Sequence, residues 1–334
     1  MRAFAHFALA AVICATALPV LAQDTPILKP ILNIYTYDGF AAEWGPGPGL
    51  KAGFEKTCNC TIEWTTSEDA ISNLRKVQLE GTATKADVVL GLDTATSGEA
   101  RATGLFAPHG LTPEGLVLPW NDAEFVPFDY GYFAFVYDRQ KTPNPPTSFE
   151  ELIALPASFK IVIEDPRSST PGLGNVLWVE AAYGNRAPEI WKGLKPHVLT
   201  MTRGWSEAYG LFLDGQADMV LSYTTSPAYH AIAEDKHNYA YAPFSEGYVA
   251  QVEVAGVLKS SDQPELAKAF LAYLTTPEAQ KIIPTTNWMY PVIDLGADLP
   301  AEFGKPPEKV LTIDEAALAA NGRAWVDAAL AALQ

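Results

Sequence analysis

A chain of 334 residues with 48% hydrophobic, 11% aromatic and 19% charged residues has apolar material for one large core or two smaller ones, which argues against disorder. Its formal charge of −16 repels phosphate backbones, so nucleic-acid partners are not expected, and the same charge favours cationic ligands weakly and at long range. Beyond the first residues no stretch is apolar enough to cross a bilayer.

The chain opens with Arg2 ahead of an apolar run over 7–21, and Val20-Leu21-Ala22 places small or aliphatic residues where a secretion signal is cleaved. Residues 1–22 are therefore expected to be a signal peptide, with the mature chain starting near Gln23. Ile13 before Cys14 does not suit lipid attachment, which needs a small residue there. Removal of the signal takes away Arg2 and no acid, moving the charge to −17. The expected product is exported and soluble, in the periplasm of a Gram-negative cell. Cys14 leaves with the signal, while Cys58 and Cys60 enter an oxidising compartment and either pair locally or stay as two buried thiols. On a strand, two such side chains share a face at a separation near the upper limit for a disulfide. A lone Cys-Asn-Cys offers too few ligands for a metal.

Residues 31–37 are β-branched and aromatic and read as a first strand. A turn is expected over 44–49, then helix over 50–55, extended chain over 61–66, a helix over 69–80 and a doubly buried strand over 86–92. A second run of the same kind follows, with strand 160–164, helices 171–182 and 205–213, and strand 218–223. Alternation of this sort is α/β patterning. The two halves share a vocabulary: Ala86-Asp87-Val88-Val89-Leu90 runs into Gly91-Leu92-Asp93, and Ala217-Asp218-Met219-Val220-Leu221 runs into Ser222-Tyr223-Thr224. Ligands collect at the carboxyl ends of such strands. Between them, 125–137 is too long and aromatic for an exposed loop and suits a strand crossing from one lobe to another. A return crossing is read at 247–257, followed by an amphipathic helix over 264–274 with Leu266, Phe270, Leu271 and Leu274 on its buried side. The expected fold is α/β and two-lobed, each lobe a mixed sheet flanked by helices, with a ligand cleft at the hinge. Lobe 1 is assigned residues 30–125 plus 255–334, and lobe 2 residues 130–250.

Tyr37, Trp205, Tyr223, Tyr229 and Trp288 fall where strand ends and loops should face this cleft. Aromatic faces attract cations and stack on flat rings. Each could equally fill a core, but Trp205 opens a helix after Gly204, Tyr223 and Tyr229 flank Thr224-Thr225-Ser226-Pro227, and Trp288 lies in a Pro- and Thr-rich loop. Asp38, Asp69 and Asp93 are the carboxylates at equivalent places. Asp69 stands at a helix start, where it would cap the helix, accept from an amine or balance a fixed positive charge. Ser168-Ser169-Thr170-Pro171-Gly172-Leu173-Gly174 puts hydroxyls before a Pro suited to the first helical position, either as an ordinary cap or to receive an alcohol or phosphate oxygen.

Tyr35-Thr36-Tyr37-Asp38, Trp44-Gly45-Pro46-Gly47-Pro48, residues 86–93 and 125–138, Asp165-Pro166-Arg167, residues 169–174, 204–212 and 221–230, and Asn287-Trp288-Met289-Tyr290-Pro291 together resemble the thiamine-binding periplasmic proteins of bacterial ABC importers. The resemblance covers nearly the whole mature chain. It implies the type II periplasmic binding protein fold and capture of thiamine, thiamine monophosphate or thiamine diphosphate by a monomer, for delivery to an ABC transporter permease in the inner membrane. It also implies that Tyr37, Trp205, Tyr229 and Trp288 are aromatic ligand contacts, that Asp69 is the acidic contact, and that Ser169 and Thr170 hold hydroxyl or phosphate oxygens. Tyr223 and Asp93 rest on the strand-end argument. The chain departs from the resemblance at Ser168, where a member of the family has Thr, and over 294–334.

Two other readings are kept open. A thiamine-degrading transferase on a related fold would need a cysteine nucleophile with a neighbouring base, which Cys58 and Cys60 lack in sequence. A receptor for a polyamine would need more carboxylates, and one for ferric iron would use paired tyrosines such as Tyr223 and Tyr229 with further ligands. No cofactor or resident metal is expected.

Overall fold

The computed structural model describes residues 29–334, so the signal peptide expected at 1–22 lies outside the described residues. β1 (Ile31–Tyr37) leads through the single turn α1 (Asp38–Ala41) into α2 (Pro46–Cys58). The helix begins inside the segment expected to be a turn. Pro46 suits the first helical position, and the glycines answer to contact with neighbouring backbone: a Cβ on Gly45 would lie 2.1 Å from the Gly39 carbonyl oxygen, and one on Gly47 2.7 Å from that of Phe40. Cys58 and Cys60 form a disulfide. They lie at the end of α2, with Asn59 in the left-handed region at φ 50°, and this reversal brings their Cα atoms to 5.1 Å, closer than an extended strand would allow.

The first half continues through β2 (Thr61–Ser67), α3 (Ala70–Glu80), β3 (Val88–Asp93), α4 (Ser97–Ala102) and β4 (Phe106–Ala107). β5 (Phe125–Asp138) is 14 residues long and buried throughout. Then come α5 (Phe149–Ala154), β6 (Ile161–Glu164), α6 (Thr170–Tyr183), α7 (Ala187–Leu194), β7 (Val198–Thr202), α8 (Trp205–Leu213) and β8 (Met219–Tyr223). α9 (Ser226–Ala233) begins inside the Thr224-Thr225-Ser226-Pro227 stretch expected to be a loop, and β9 (Tyr239–Tyr241) precedes β10 (Tyr248–Leu258). α10 (Pro264–Leu274), α11 (Pro277–Ile282), β11 (Tyr290–Pro291), β12 (Val310–Leu311) and α12 (Glu315–Leu333) complete the chain.

The main strands run in the order β2-β1-β3-β10-β5-β8-β6-β7. At one end β1 is parallel to β2 and β3, and at the other β6 is parallel to β7 and β8. β10 and β5 join the two ends. β5 changes partner midway, pairing antiparallel with β10 over 125–132 and with β8 over 133–137. The 125–137 and 247–257 segments thus take the place expected of crossing strands.

The two largest of four apolar clusters gather, in the first half, Leu32, Ile34, Phe40, Leu90, Phe270 and Leu274, and in the second, Phe133, Phe135, Phe149, Trp178, Trp191 and Leu221. The division differs from expectation at the tail of 255–334. Phe303 and Ala329 belong to the second core, and α12 packs on α6 and α7. The C-terminal helix therefore covers the far half of the molecule. Its physical reason is the apolar face of α7, where Ala187, Ile190, Trp191 and Leu194 need a cover.

Candidate ligand-binding site

A cavity of about 620 Å3 opens between the two halves at the carboxyl ends of β1 and β8. Its walls are aromatic, and each ring is held by a second contact. Tyr37, the last residue of β1, packs edge-on to Phe40 at 5.6 Å, and its hydroxyl donates to Glu253 Oε2 at 2.9 Å. Trp205 opens α8. Its indole N–H donates to Ser222 Oγ at 2.8 Å, and the ring is backed by Tyr209 at 4.8 Å, whose hydroxyl is 2.9 Å from His230 Nε2. Tyr229 on α9 meets Trp288 edge to face at 5.2 Å. Trp288 has φ 59°, a left-handed conformation that is costly for a bulky residue and that persists where surroundings over-determine it. A parallel ring, Phe303, lies 6.5 Å from it. Trp44, 57% exposed, stands on the wall where it reaches solvent.

The charged groups of the wall are all acidic. Asp38, Glu68, Asp69 and Glu253 line it, and among the described residues no lysine, arginine or histidine does. Asp69 caps α3 by accepting from the Ala70 N–H at 2.7 Å, and it also accepts from the Thr170 N–H at 3.0 Å and the Ser169 hydroxyl at 2.9 Å. This carboxyl group ties the start of α3 in one half to the start of α6 in the other. Burial pushes it up to about 6, against the hydrogen bonds that hold it down. Arg203 and Glu68 make a second bridge between the halves at 3.3 Å, with both side chains exposed and the pair correspondingly weak.

Eight of the ten residues singled out in the sequence line the cavity: Tyr37, Asp38, Asp69, Thr170, Trp205, Tyr223, Tyr229 and Trp288. Two do not. Ser169 is wholly buried, and its hydroxyl is used up on Asp69. Asp93 is 1% exposed and closes the turn after β3, accepting from the Thr96 N–H at 3.0 Å and from its hydroxyl at 2.7 Å. The start of α6, expected to receive a ligand oxygen, is bonded to Asp69, and the Thr170 hydroxyl is left without a partner. Sequence reading passed over Trp44, Tyr209, Glu253, Asn287 and Met289. Tyr209 had a signal, since it follows Trp205 by one helical turn. Glu253 had none, because its place depends on the pairing of β10.

The family of solute-binding receptors is recognised directly. A family model described as bacterial extracellular solute-binding protein matches residues 36–281. The chain belongs to this family. Among its members, the thiamine-binding periplasmic protein of Escherichia coli (strain K12) is 51% identical over 315 residues, covering 92% of this chain and 96% of that one. The thiamine-binding periplasmic protein of Brucella melitensis biotype 1 is 49% identical over 308 residues, covering 91% and 92%. A solved periplasmic thiamin binding protein superposes with a TM-score of 0.89 at 50% identity, covering 92% of this chain and 97% of that chain. At about 620 Å3 the cavity lies within the range of small-molecule sites, about 300–1,000 Å3. The arrangement suits a flat, positively charged guest, because ring faces and carboxyl groups both favour cations.

Proposed function

We propose that this chain captures thiamine and its phosphate esters in the periplasm, as a monomer, and presents them to an inner-membrane permease of an ABC importer. The observation that carries the reading is a cavity walled by Tyr37, Trp44, Trp205, Tyr223, Tyr229 and Trp288 together with four carboxyl groups and, among the described residues, no basic side chain. Thiamine brings a permanently charged thiazolium, an aminopyrimidine that stacks and hydrogen-bonds, and a hydroxyethyl arm. The rings take the heterocycles, the carboxyl groups balance the charge, and the free Thr170 hydroxyl at the start of α6 meets the arm. A cation–π contact contributes about 0.5–2 kcal/mol, so several together with a carboxylate supply much of the roughly 8 kcal/mol that micromolar binding requires. Closure follows from geometry, because the halves touch the same guest only when they are together.

Other chemistries fit less well. A transferase would need a thiol at the cavity, whereas Cys58 and Cys60 are joined to each other and neither lines the wall. The tyrosine pair that iron would use has its hydroxyls on other partners: Tyr223 donates to Gln251 at 2.9 Å and Tyr229 to Glu234 at 3.3 Å.

Native mass spectrometry of protein purified from periplasm, followed by calorimetry with thiamine, tests the reading. The expected result is a co-purified vitamin or submicromolar affinity for added thiamine, with Trp205→Ala and Trp288→Ala each weakening binding at least tenfold, or about 1.4 kcal/mol. Unchanged affinity in both variants removes the aromatic clamp, and absence of thiamine binding removes the function.

A further inference from the structure

A row of carboxyl groups runs behind the cavity wall. β10 pairs with β3 on one side and β5 on the other, and the two registers set Glu253 opposite Asp93 and also opposite Asp129. Like charges placed opposite one another on neighbouring strands repel. All three side chains are buried, and Glu253 is the member that reaches the cavity. A lone buried carboxylate needs a partner, and two without a cation need one even more.

The surroundings supply neutral donors. From β1 the Tyr37 hydroxyl donates to Glu253 Oε2, and from β10 Gln251 Nε2 donates to Glu253 Oε1 at 2.9 Å. From the segment after α11, Asn287 Nδ2 donates to Asp129 Oδ2 at 2.7 Å. From β8, Tyr223 reaches Gln251 and so extends the chain of hydrogen bonds. The other charged groups that act on Glu253 are Asp93 at the end of β3 and Asp69 at the start of α3, both acidic. Asp129 Oδ1 has no partner.

We propose that Asp129 and Glu253 form the counter-charge of the site, sharing a proton while the cleft is empty and releasing it to solvent when a permanently cationic ligand enters beside Glu253. The protein then exchanges a proton for the positive charge of its guest. This deepens the thiamine reading and rests on it. Burial pushes Asp129 up to about 7, against the hydrogen bonds that hold it down, and burial followed by repulsion from Asp129 pushes Glu253 well above the usual carboxyl range. The pair titrates as a unit, so the exchange belongs to both residues together.

The sign of the pH dependence follows. A proton released on binding makes affinity rise with pH until the empty pair has itself lost the shared proton, and level off above that point. A neutral guest releases no proton, so its affinity stays flat. The neutral guest also loses the charge balance, which makes Glu253 a determinant of selectivity for cations.

Calorimetry of the intact protein with thiamine and with 3-deazathiamine, its uncharged thiophene isostere, tests this in phosphate and in Tris, whose ionisation enthalpies differ. Both ligands carry the same aminopyrimidine, so proton exchange by that ring cancels between them. Expected are release of about half a proton or more per thiamine bound near neutral pH, and essentially none per isostere. Glu253→Gln should abolish the release and narrow the preference for thiamine over the isostere at least tenfold, and Asp129→Asn should abolish the release as well. Tight thiamine binding with heats independent of buffer in the unmodified protein overturns the inference and leaves thiamine capture standing. Failure to bind thiamine at all removes both.

Discussion

β3 and β8 start alike and end differently. Each is preceded by an Ala-Asp pair and begins with buried apolar residues. Before β3 the Asp87 carboxylate accepts from the Asn33 N–H of β1 at 2.8 Å, and before β8 Asp218 accepts from the Lys160 N–H just before β6 at 2.7 Å. The returning bonds match too, with the Asp87 N–H donating to the Asn33 carbonyl and the Asp218 N–H to that of Lys160, both at 2.8 Å. At the other end the likeness stops. β3 turns away through Gly91, whose φ of 98° and close approach to the Tyr37 ring leave no room for a Cβ, and Asp93 is consumed by its own turn. β8 ends in Tyr223, which lines the cavity. The Asp side chains at the amino ends of these strands fasten each half together, and at the carboxyl ends the side chains differ although both ends stay paired, Asp93 with Glu253 and Tyr223 with Phe133.

Four substitutions break or sharpen this contrast. Asp87→Ala and Asp218→Ala should be the most damaging, each lowering stability by about 2–3 kcal/mol in denaturant titration, because each strands a backbone N–H. Thiamine affinity should stay the same, and a large cost at one site with none at the other would deny the symmetry of the halves. Tyr223→Ala comes next, with about a tenfold loss of thiamine affinity in calorimetry, ~1.4 kcal/mol, and a smaller change in stability. Asp93→Asn should change affinity least, by under roughly threefold, since its carboxyl group faces Thr96 and does not line the cavity. An effect as large as that of Tyr223→Ala would show that the two strand ends are equivalent after all.

Much of this architecture was legible in the chain itself. The β-branched and aromatic runs gave β1, β3, β5, β8 and β10, and the helix over 205–213 has the expected bounds. The elements misread were those whose signals point two ways. Pro46-Gly47-Pro48-Gly49 has the composition of a turn, yet it starts a helix, with Pro46 in the first turn, Gly47 against the backbone of α1 and Gly49 against the Ile282 side chain. Thr225-Ser226-Pro227 reads as a loop, yet Pro227 lies in the first turn of α9, where its missing N–H costs nothing. In the site, aromatic residues at strand ends and helix starts could be found one at a time. Ser169 and Asp93 looked equally suitable, and it is their hydrogen bonds to Asp69 and Thr96 that take them off the wall.

Local patterning thus determined the strands, most helices and the aromatic, acid-rich character of the cleft, because periodicity and strand-end position are properties of short stretches. Tertiary structure alone decided that Asp69 joins α3 to α6, that α12 covers the second half, and that Glu253 stands between Asp93 and Asp129. Each of these depends on strand register or helix packing between residues far apart in the chain. A one-residue slip of β10 would turn Glu253 to the opposite face of the sheet, and nothing in the order of its neighbours forbids that.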